Sequence, residues 1–102
     1  MADLTSKQRA YLRSLAVDLD TILMVGKGGV GPDVVKQAAD AIEKREIIKG
    51  KVLETAPLSA RDAAEELGRS TKSQVVQVIG SKFVLYRRND KEPKIQLPKA
   101  RR

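Results

Sequence analysis

Apolar residues recur along this chain at two spacings, one typical of helices and one typical of strands. Helical spacing runs through three segments, each with a helix-start signal: Thr5 with Gln8 as a capping box, Pro32 in a first turn, and Ser59 as an N-cap. The second of these helices is predicted to end near Arg45. The apolar stripes are Leu12, Leu15, Ala16 and Leu19; Val34, Val35, Ala38, Ala39 and Ile42; and Ala60, Ala63, Ala64 and Leu67.

Strand patterns occupy four shorter segments. The first is a fully apolar run typical of a buried strand, and the second alternates, with Lys49 and Lys51 on one face and Gly50 on the other. The last two are joined by a short turn at residues 80–81, which predicts a hairpin. The predicted strands are residues 21–25, 47–53, 74–79 and 82–87.

The order of these elements is α-β-α-β-α-β-β, which predicts a small single α/β domain with three helices and a mixed four-stranded sheet. Strands that alternate with helices pair in parallel through right-handed crossovers, and the final hairpin adds antiparallel pairing. We place the domain at residues 1–88 and a basic C-terminal tail at residues 89–102. Ile95 and Leu97 are expected to hold part of that tail against the domain.

A glycine-rich loop between the first strand and the second helix is the strongest candidate for an anion-binding site. Glycine lets backbone amides approach an anion closely, and the helix that follows adds unpaired N–H groups and partial positive charge. One interpretation uses Gly26, Gly28 and Gly31 as a dinucleotide-binding G-x-G-x-x-G, with Glu46 at the distance of a ribose-binding acid. The other uses residues 26–29 as the G-x-x-G loop of KH-type RNA-binding domains.

Composition and length favour a nucleic-acid backbone over a nucleotide substrate. A dinucleotide fold needs about six strands, and this chain offers four. It contains no histidine and no cysteine, which removes the commonest general base and the thiolate nucleophile and metal ligand. We therefore predict a non-enzymatic protein with no catalytic residue, cofactor, metal or small-molecule substrate. A nucleotide-binding enzyme remains the weaker alternative, and an Alba-like general nucleic-acid binder remains another.

Charge points to the same class of partner. The net charge is +7. From residue 82 onward the sequence contains eight basic side chains and only two acidic ones, Asp90 and Glu92. Such a tail indicates a polyanionic partner or a solvated, solubilising segment in equal measure. Arg13, with Lys7 and Arg9, is interpreted as part of a solvated helix face. No membrane span or signal-peptide pattern occurs in the sequence, so we expect a cytoplasmic monomer without membrane contact.

Aromatic residues are few, and their placement bears on the mode of binding. The only phenylalanine, Phe83, and one of two tyrosines, Tyr86, fall on opposite faces of the last strand. A sheet that stacks several bases on aromatic rings is therefore not expected. The sequence favours recognition of nucleic-acid backbone and shape through glycine amides and basic side chains, with strong salt dependence.

Several segments together resemble YhbY-type proteins, the bacterial single-domain members of the CRM (chloroplast RNA splicing and ribosome maturation) family. The resemblance implies a fold similar to the C-terminal domain of translation initiation factor three, RNA binding, and association with precursors of the large ribosomal subunit. Four positions depart from the family pattern: Val17 for a frequent histidine, Gly31 for a hydroxyl cap of the second helix, Gly50 for a valine, and Lys72 for a helix-ending glycine. The matching segments are residues 4–9, 12–13, 25–29, 47–51, 76–80, 85–87 and 94–98.

The resemblance also implies a set of RNA-binding residues. The G-x-x-G loop supplies its amides and one lysine, and the second and last strands supply basic side chains. Lys49 and Lys51 fit a solvated strand face equally well. The candidate RNA-binding residues are Gly26, Lys27, Gly28, Gly29, Lys49, Lys51, Lys82, Arg87 and Arg88.

Overall fold

The computed structural model describes residues 4–98 and contains the predicted elements in the predicted order. Two strands end one residue earlier than the pattern indicated, the second before Leu53 and the last before Arg87. The predicted fold class, a small mixed α/β domain, is confirmed. The elements are α1 (Ser6–Ala16), β1 (Thr21–Val25), α2 (Pro32–Arg45), β2 (Ile47–Val52), α3 (Ala60–Thr71), β3 (Gln74–Ile79) and β4 (Lys82–Tyr86).

The four strands form one sheet in the order β1-β2-β4-β3. β1 and β2 are parallel and are connected through α2, whereas β4 runs antiparallel to both β2 and β3. One end of the sheet, which we call the loop end, is therefore formed by Val25, Val52, Ile79 and Lys82. The opposite end, which we call the far end, is formed by the starts of β1, β2 and β3 and by Tyr86.

α2 and α3 cover one face of the sheet, which we call the helical face. Their apolar stripes pack on alternate strand residues. Near the end of α3, a Cβ on Gly68 would lie 3.0 Å from the carbonyl oxygen of Ser73, which belongs to the connection between α3 and β3. A glycine at this position therefore lets the chain pass close beside the helix as it turns back to the sheet. The main core residues are Leu23, Val25, Ala38, Ile42, Ile48, Ala63, Ala64, Leu67, Phe83 and Leu85.

α1 and the C-terminal segment cover only part of the other face, which we call the open face. Leu12 and Ala16 of α1 pack there, and the part of the face toward the loop end stays accessible. Thr5 and Gln8 form the predicted reciprocal capping box. Arg9, predicted as a solvated side chain, instead donates to the backbone carbonyls of Val75 and Val76. This second core also contains Ile47, Val76, Val84 and Tyr86.

Residues 89–98 lie against the domain rather than apart from it. Ile95 and Leu97 pack on the second core, as the sequence predicted, and the Gln8 side chain donates to the Pro98 carbonyl oxygen at 2.9 Å. The remaining basic residues of the predicted tail, Lys99, Arg101 and Arg102, lie outside the described residues. Within residues 4–98, no helix is long and apolar enough to cross a membrane.

Candidate nucleic-acid interface

A tight turn shapes the glycine loop after β1. The Gly29 amide donates to the Gly26 carbonyl oxygen at 2.9 Å, and Gly29 has a φ of +69°. A Cβ at Gly29 would lie 3.3 Å from Cγ of Pro57, so both the backbone conformation and the packing require glycine there. At Gly28, by contrast, an added Cβ would meet open space. Gly28 is therefore a position where a side chain can be introduced without disturbing the fold.

The loop presents free hydrogen-bond donors at the start of α2. In the described part of the chain, the exposed Lys27 and Gly28 have no partner for their backbone amides, whereas the Gly29 amide is used within the turn. Gly31 is the N-cap of α2 and has no side chain to satisfy the first-turn amides; Pro32 follows it. Two free loop amides, a lysine and a helix N-terminus thus lie within a few residues, an arrangement suited to one phosphate group.

Three lysines lie on the open face, Lys51 and Lys82 at the loop end and Lys49 nearer the middle of β2. Lys51 and Lys82 are directly paired across β2 and β4. Lys49 lies two residues before Lys51 on the same face and pairs with Val84. Like charges directly opposite one another destabilise a sheet, and none of the described carboxylates forms an ion pair with any of these three lysines. Since these charges bring no evident benefit to the fold, they are candidates for binding an external anion.

The loop and these lysines meet because of the sheet topology. Parallel pairing places the ends of β1 and β2 together, and antiparallel pairing brings the start of β4 to the same place. The loop at residues 26–29 therefore shares the loop end of the sheet with Lys51 and Lys82. The loop, the lysines of β2 and Lys82 come from separate parts of the chain, so only tertiary structure brings them together.

Arg87 and Arg88 lie at the far end of the sheet, away from the loop. The Arg87 side chain is 24% exposed, donates to the Thr71 carbonyl oxygen at 2.9 Å, and forms an ion pair with Glu43 at 2.6 Å. Arg88 is exposed, and its ion pair with Asp90 measures 3.5 Å. The structure therefore divides the predicted set into a loop-end group and two far-end arginines, of which Arg87 is held in contacts within the domain.

Glu46, the acid that the dinucleotide interpretation would assign to a ribose, is fully buried. Its carboxylate accepts from the backbone amides of Asn89, Lys94 and Ile95 at 2.6 to 2.8 Å. Burial, and to a smaller degree the negative charge of Glu46, raises the pKa of the neighbouring Tyr86 above its usual value. The Glu46 side chain is thus committed to the C-terminal segment and has no free oxygen directed to a ligand at the loop end.

Sequence reasoning missed a groove on the open face between α1 and the strands. It includes Arg13 and Val17 from the end of α1 and Gln77 and Ile79 from β3. Arg13 was predicted as a solvated helix residue, and no local pattern linked it to β3. Among residues 4–98, no cluster of three or more acidic side chains could hold a metal ion.

The sequence model of the CRS1/YhbY (CRM) domain matches residues 4–87. This chain belongs to the CRM domain family. It is 45% identical over 95 residues to the "Probable RNA-binding protein YqeI" of Bacillus subtilis, covering 93% of this chain and 99% of that protein. It is 35% identical over 99 residues to an "RNA-binding protein" of Haemophilus influenzae, covering 97% of this chain and 99% of that one.

The CRM domain is also similar to a solved structure. The solution structure of a hypothetical protein from Staphylococcus aureus, described as a candidate RNA-binding protein, superposes with a TM-score of 0.79 at 45% sequence identity. The match covers 94% of this chain and all of the other. Both the sequence and the arrangement of helices and strands therefore place the chain in one family of small α/β domains.

Proposed function

We propose that this protein binds RNA through the loop end of its sheet. The observation that carries the proposal is the pair of free amides at Lys27 and Gly28, at the start of α2 and beside unpaired lysines. In this arrangement the loop holds one backbone phosphate, and Lys49, Lys51 and Lys82 neutralise others. The relatives named as RNA-binding proteins support RNA as the polyanion.

The more specific role that we propose is assistance in assembling the large ribosomal subunit, in the cytoplasm and without catalysis. Its support is the resemblance to YhbY-type proteins over nearly the whole chain. The positive net charge of +7 suits a particle rich in RNA phosphate. Crosslinking the protein to RNA in cells and sequencing the attached fragments tests this role: we expect precursor large-subunit RNA, and enrichment of unrelated messengers alone would contradict it.

The loop proposal is tested by Gly28→Asp. The substitution adds a carboxylate to an exposed site where a Cβ meets open space, so the domain should fold normally while the phosphate is repelled. We expect the affinity for a labelled structured RNA, measured by fluorescence anisotropy, to fall about tenfold or more. Circular dichroism and thermal unfolding should stay those of the unsubstituted protein.

Ser70→Asp is the charge-matched control. Ser70 is exposed near the end of α3, a helix that starts at the loop end and runs toward the far end. The substitution makes the same change in net charge, so it should alter RNA affinity far less than Gly28→Asp does. If the two variants lost RNA affinity equally, the loop would contribute to binding only through the net charge of the protein. Equal affinity of the protein for duplex DNA and structured RNA would instead favour a general nucleic-acid binder.

A further inference from the structure

The uncovered part of the open face contains a groove of about 430 Å³ between the end of α1 and strands β2, β3 and β4. It lies on the sheet face that carries the loop-end lysines. α1 buries Leu12 and Ala16 against the sheet but stops short of the loop end, and this leaves the groove open. Its principal lining side chains are Arg13, Val17, Lys49, Gln77, Ile79 and Lys82.

The groove exposes aliphatic side chains on both of its sides. Val17, at the end of α1, is 76% exposed, and Ile79, at the end of β3, is 63% exposed. A single exposed aliphatic residue needs no explanation, but two that line the same groove form an apolar surface available to a ligand. Val84 closes the floor between them. Phosphates and ribose hydroxyls gain little from such a surface, so these residues suit a flat apolar group.

The charge around the groove favours a polyanion over a protein partner. Lys49 and Lys82, together with Arg13, border it, and no carboxylate among residues 4–98 forms an ion pair with any of them. Asp18 and Asp20 line a neighbouring depression with Lys49 and do not pair with it. Lysine is depleted from the centres of protein–protein interfaces, whereas unpaired cations around an apolar floor match a nucleotide.

Resting on the RNA binding proposed above, we propose that this groove holds an unpaired nucleobase of the bound RNA. Val17 and Ile79 contact the base faces, and the Gln77 amide group hydrogen-bonds to a base edge. Arg13, Lys49 and Lys82 neutralise the flanking phosphates. A duplex keeps its base faces stacked inside and offers this groove no apolar group, so the site selects unpaired RNA. The strand would continue from the glycine loop at the loop end.

The double variant Val17→Ser with Ile79→Ser tests the groove without touching any charge. Both side chains are largely exposed, so the domain should remain folded. We expect the affinity for a single-stranded RNA oligonucleotide to fall about tenfold, while the affinity for an RNA duplex of the same length stays unchanged. Tyr11→Ser is the matched control: it removes another partly exposed apolar side chain of α1, 38% exposed and outside the groove, and should change neither affinity.

Direct contact is measured by NMR on the unsubstituted protein. The methyl resonances of Val17 and Ile79 should shift on addition of the single-stranded oligonucleotide and not on addition of the duplex. If the double variant keeps its full affinity for the single strand, or loses affinity equally for both RNAs, the proposal is overturned, and in the first case the groove is open to a protein partner. If the unsubstituted protein binds neither RNA, the proposed function itself fails.

Discussion

At the scale of single residues, the contact between Gly50 and Phe83 explains why this chain has a glycine where the family pattern has a valine. The two residues pair directly across β2 and β4, and the Phe83 ring occupies the space above Gly50 on the helical face. A Cβ at Gly50 would lie 2.7 Å from Cε1 of that ring, closer than real side chains approach. The glycine thus makes room for the only phenylalanine of the chain, which is fully buried.

Gly50→Ala should lower the free energy of unfolding by about 1–3 kcal/mol, because the added methyl group forces the Phe83 ring out of its packed position. Chemical denaturation measures this change. In a Phe83→Leu background the same substitution should cost less, since the smaller side chain leaves space for the methyl group. Gly28→Ala, where a Cβ meets open space, is the control: it separates the cost of overpacking from the effect of replacing any glycine by alanine. Equal costs in the two backgrounds would contradict this explanation.

Lys72 is a second residue that departs from the family pattern, because it stands where a glycine often ends the third helix. It caps α3 in the left-handed conformation, with a φ of +57°, and its amide donates to the Gly68 carbonyl oxygen. A glycine is the usual residue in this conformation, so lysine serves the same geometry at a steric cost. The sequence predicted the start of α3 but not its end, because lysine is not a helix-ending residue, and the left-handed backbone at the capping residue became visible only in the structure.

At the scale of elements, the C-terminal segment depends on one buried carboxylate. Glu46 has a φ of +66°, and its side chain binds three backbone amides of residues 89–95. Its own carbonyl oxygen accepts from the Arg87 amide at 2.9 Å. A charged group that accepts several backbone N–H bonds in a buried site holds a segment without regular secondary structure in place. The segment in turn covers the second core with Ile95 and Leu97.

Glu46→Ala should lower the free energy of unfolding by about 2–4 kcal/mol, because it leaves three amides without their acceptor. We also expect the amides of Lys94 and Ile95 to lose their protection in hydrogen exchange, while amides of β4 keep theirs. Glu54→Ala, at an exposed position in the connection between β2 and α3, is the control and should change neither measurement. Retained protection at Lys94 and Ile95 would show that apolar packing alone holds the segment.

At the scale of the whole molecule, basic side chains serve different purposes at the two ends of the sheet. At the loop end, Lys51 and Lys82 have no carboxylate partner within residues 4–98 and lie beside the glycine loop. At the far end, Arg87 joins β4 to the end of α3 and to Glu43 of α2. Net charge alone cannot distinguish these two purposes, because each residue contributes one positive charge.

The double variant Lys51→Ala with Lys82→Ala should reduce the slope of log affinity against log salt by about one to two, one released counterion for each lost phosphate contact. Its stability should be unchanged or slightly higher, since two opposed like charges are removed. Arg87→Ala should behave in the opposite way, losing about 1–2 kcal/mol of stability while it keeps the salt slope. Titrations at several salt concentrations, with denaturation of each variant, measure both quantities. An unchanged slope in the lysine variant would place the phosphate contacts elsewhere.

The sequence by itself determined the elements, the starts of the helices and the bounds of the strands to within one residue, although Leu19, predicted in the stripe of α1, lies beyond its end at Ala16. The Thr5–Gln8 capping box, the Ser59 N-cap and the alternation around Lys49 act over a few residues, so local patterns sufficed to predict them. The composition of the glycine loop also identified the candidate phosphate site. These features depend on backbone conformation and side-chain spacing that neighbouring residues set.

Only the tertiary structure decided which basic residues share a surface. The pairing of Lys51 with Lys82, the separation of Arg87 from the loop, and the groove between Val17 and Ile79 all depend on strand order and register. Register follows from the burial of one sheet face against α2 and α3, a contact between distant parts of the chain. The glycine loop was therefore predictable as a local motif, whereas its lysine neighbours and the adjoining groove exist only because nonlocal packing brings them together.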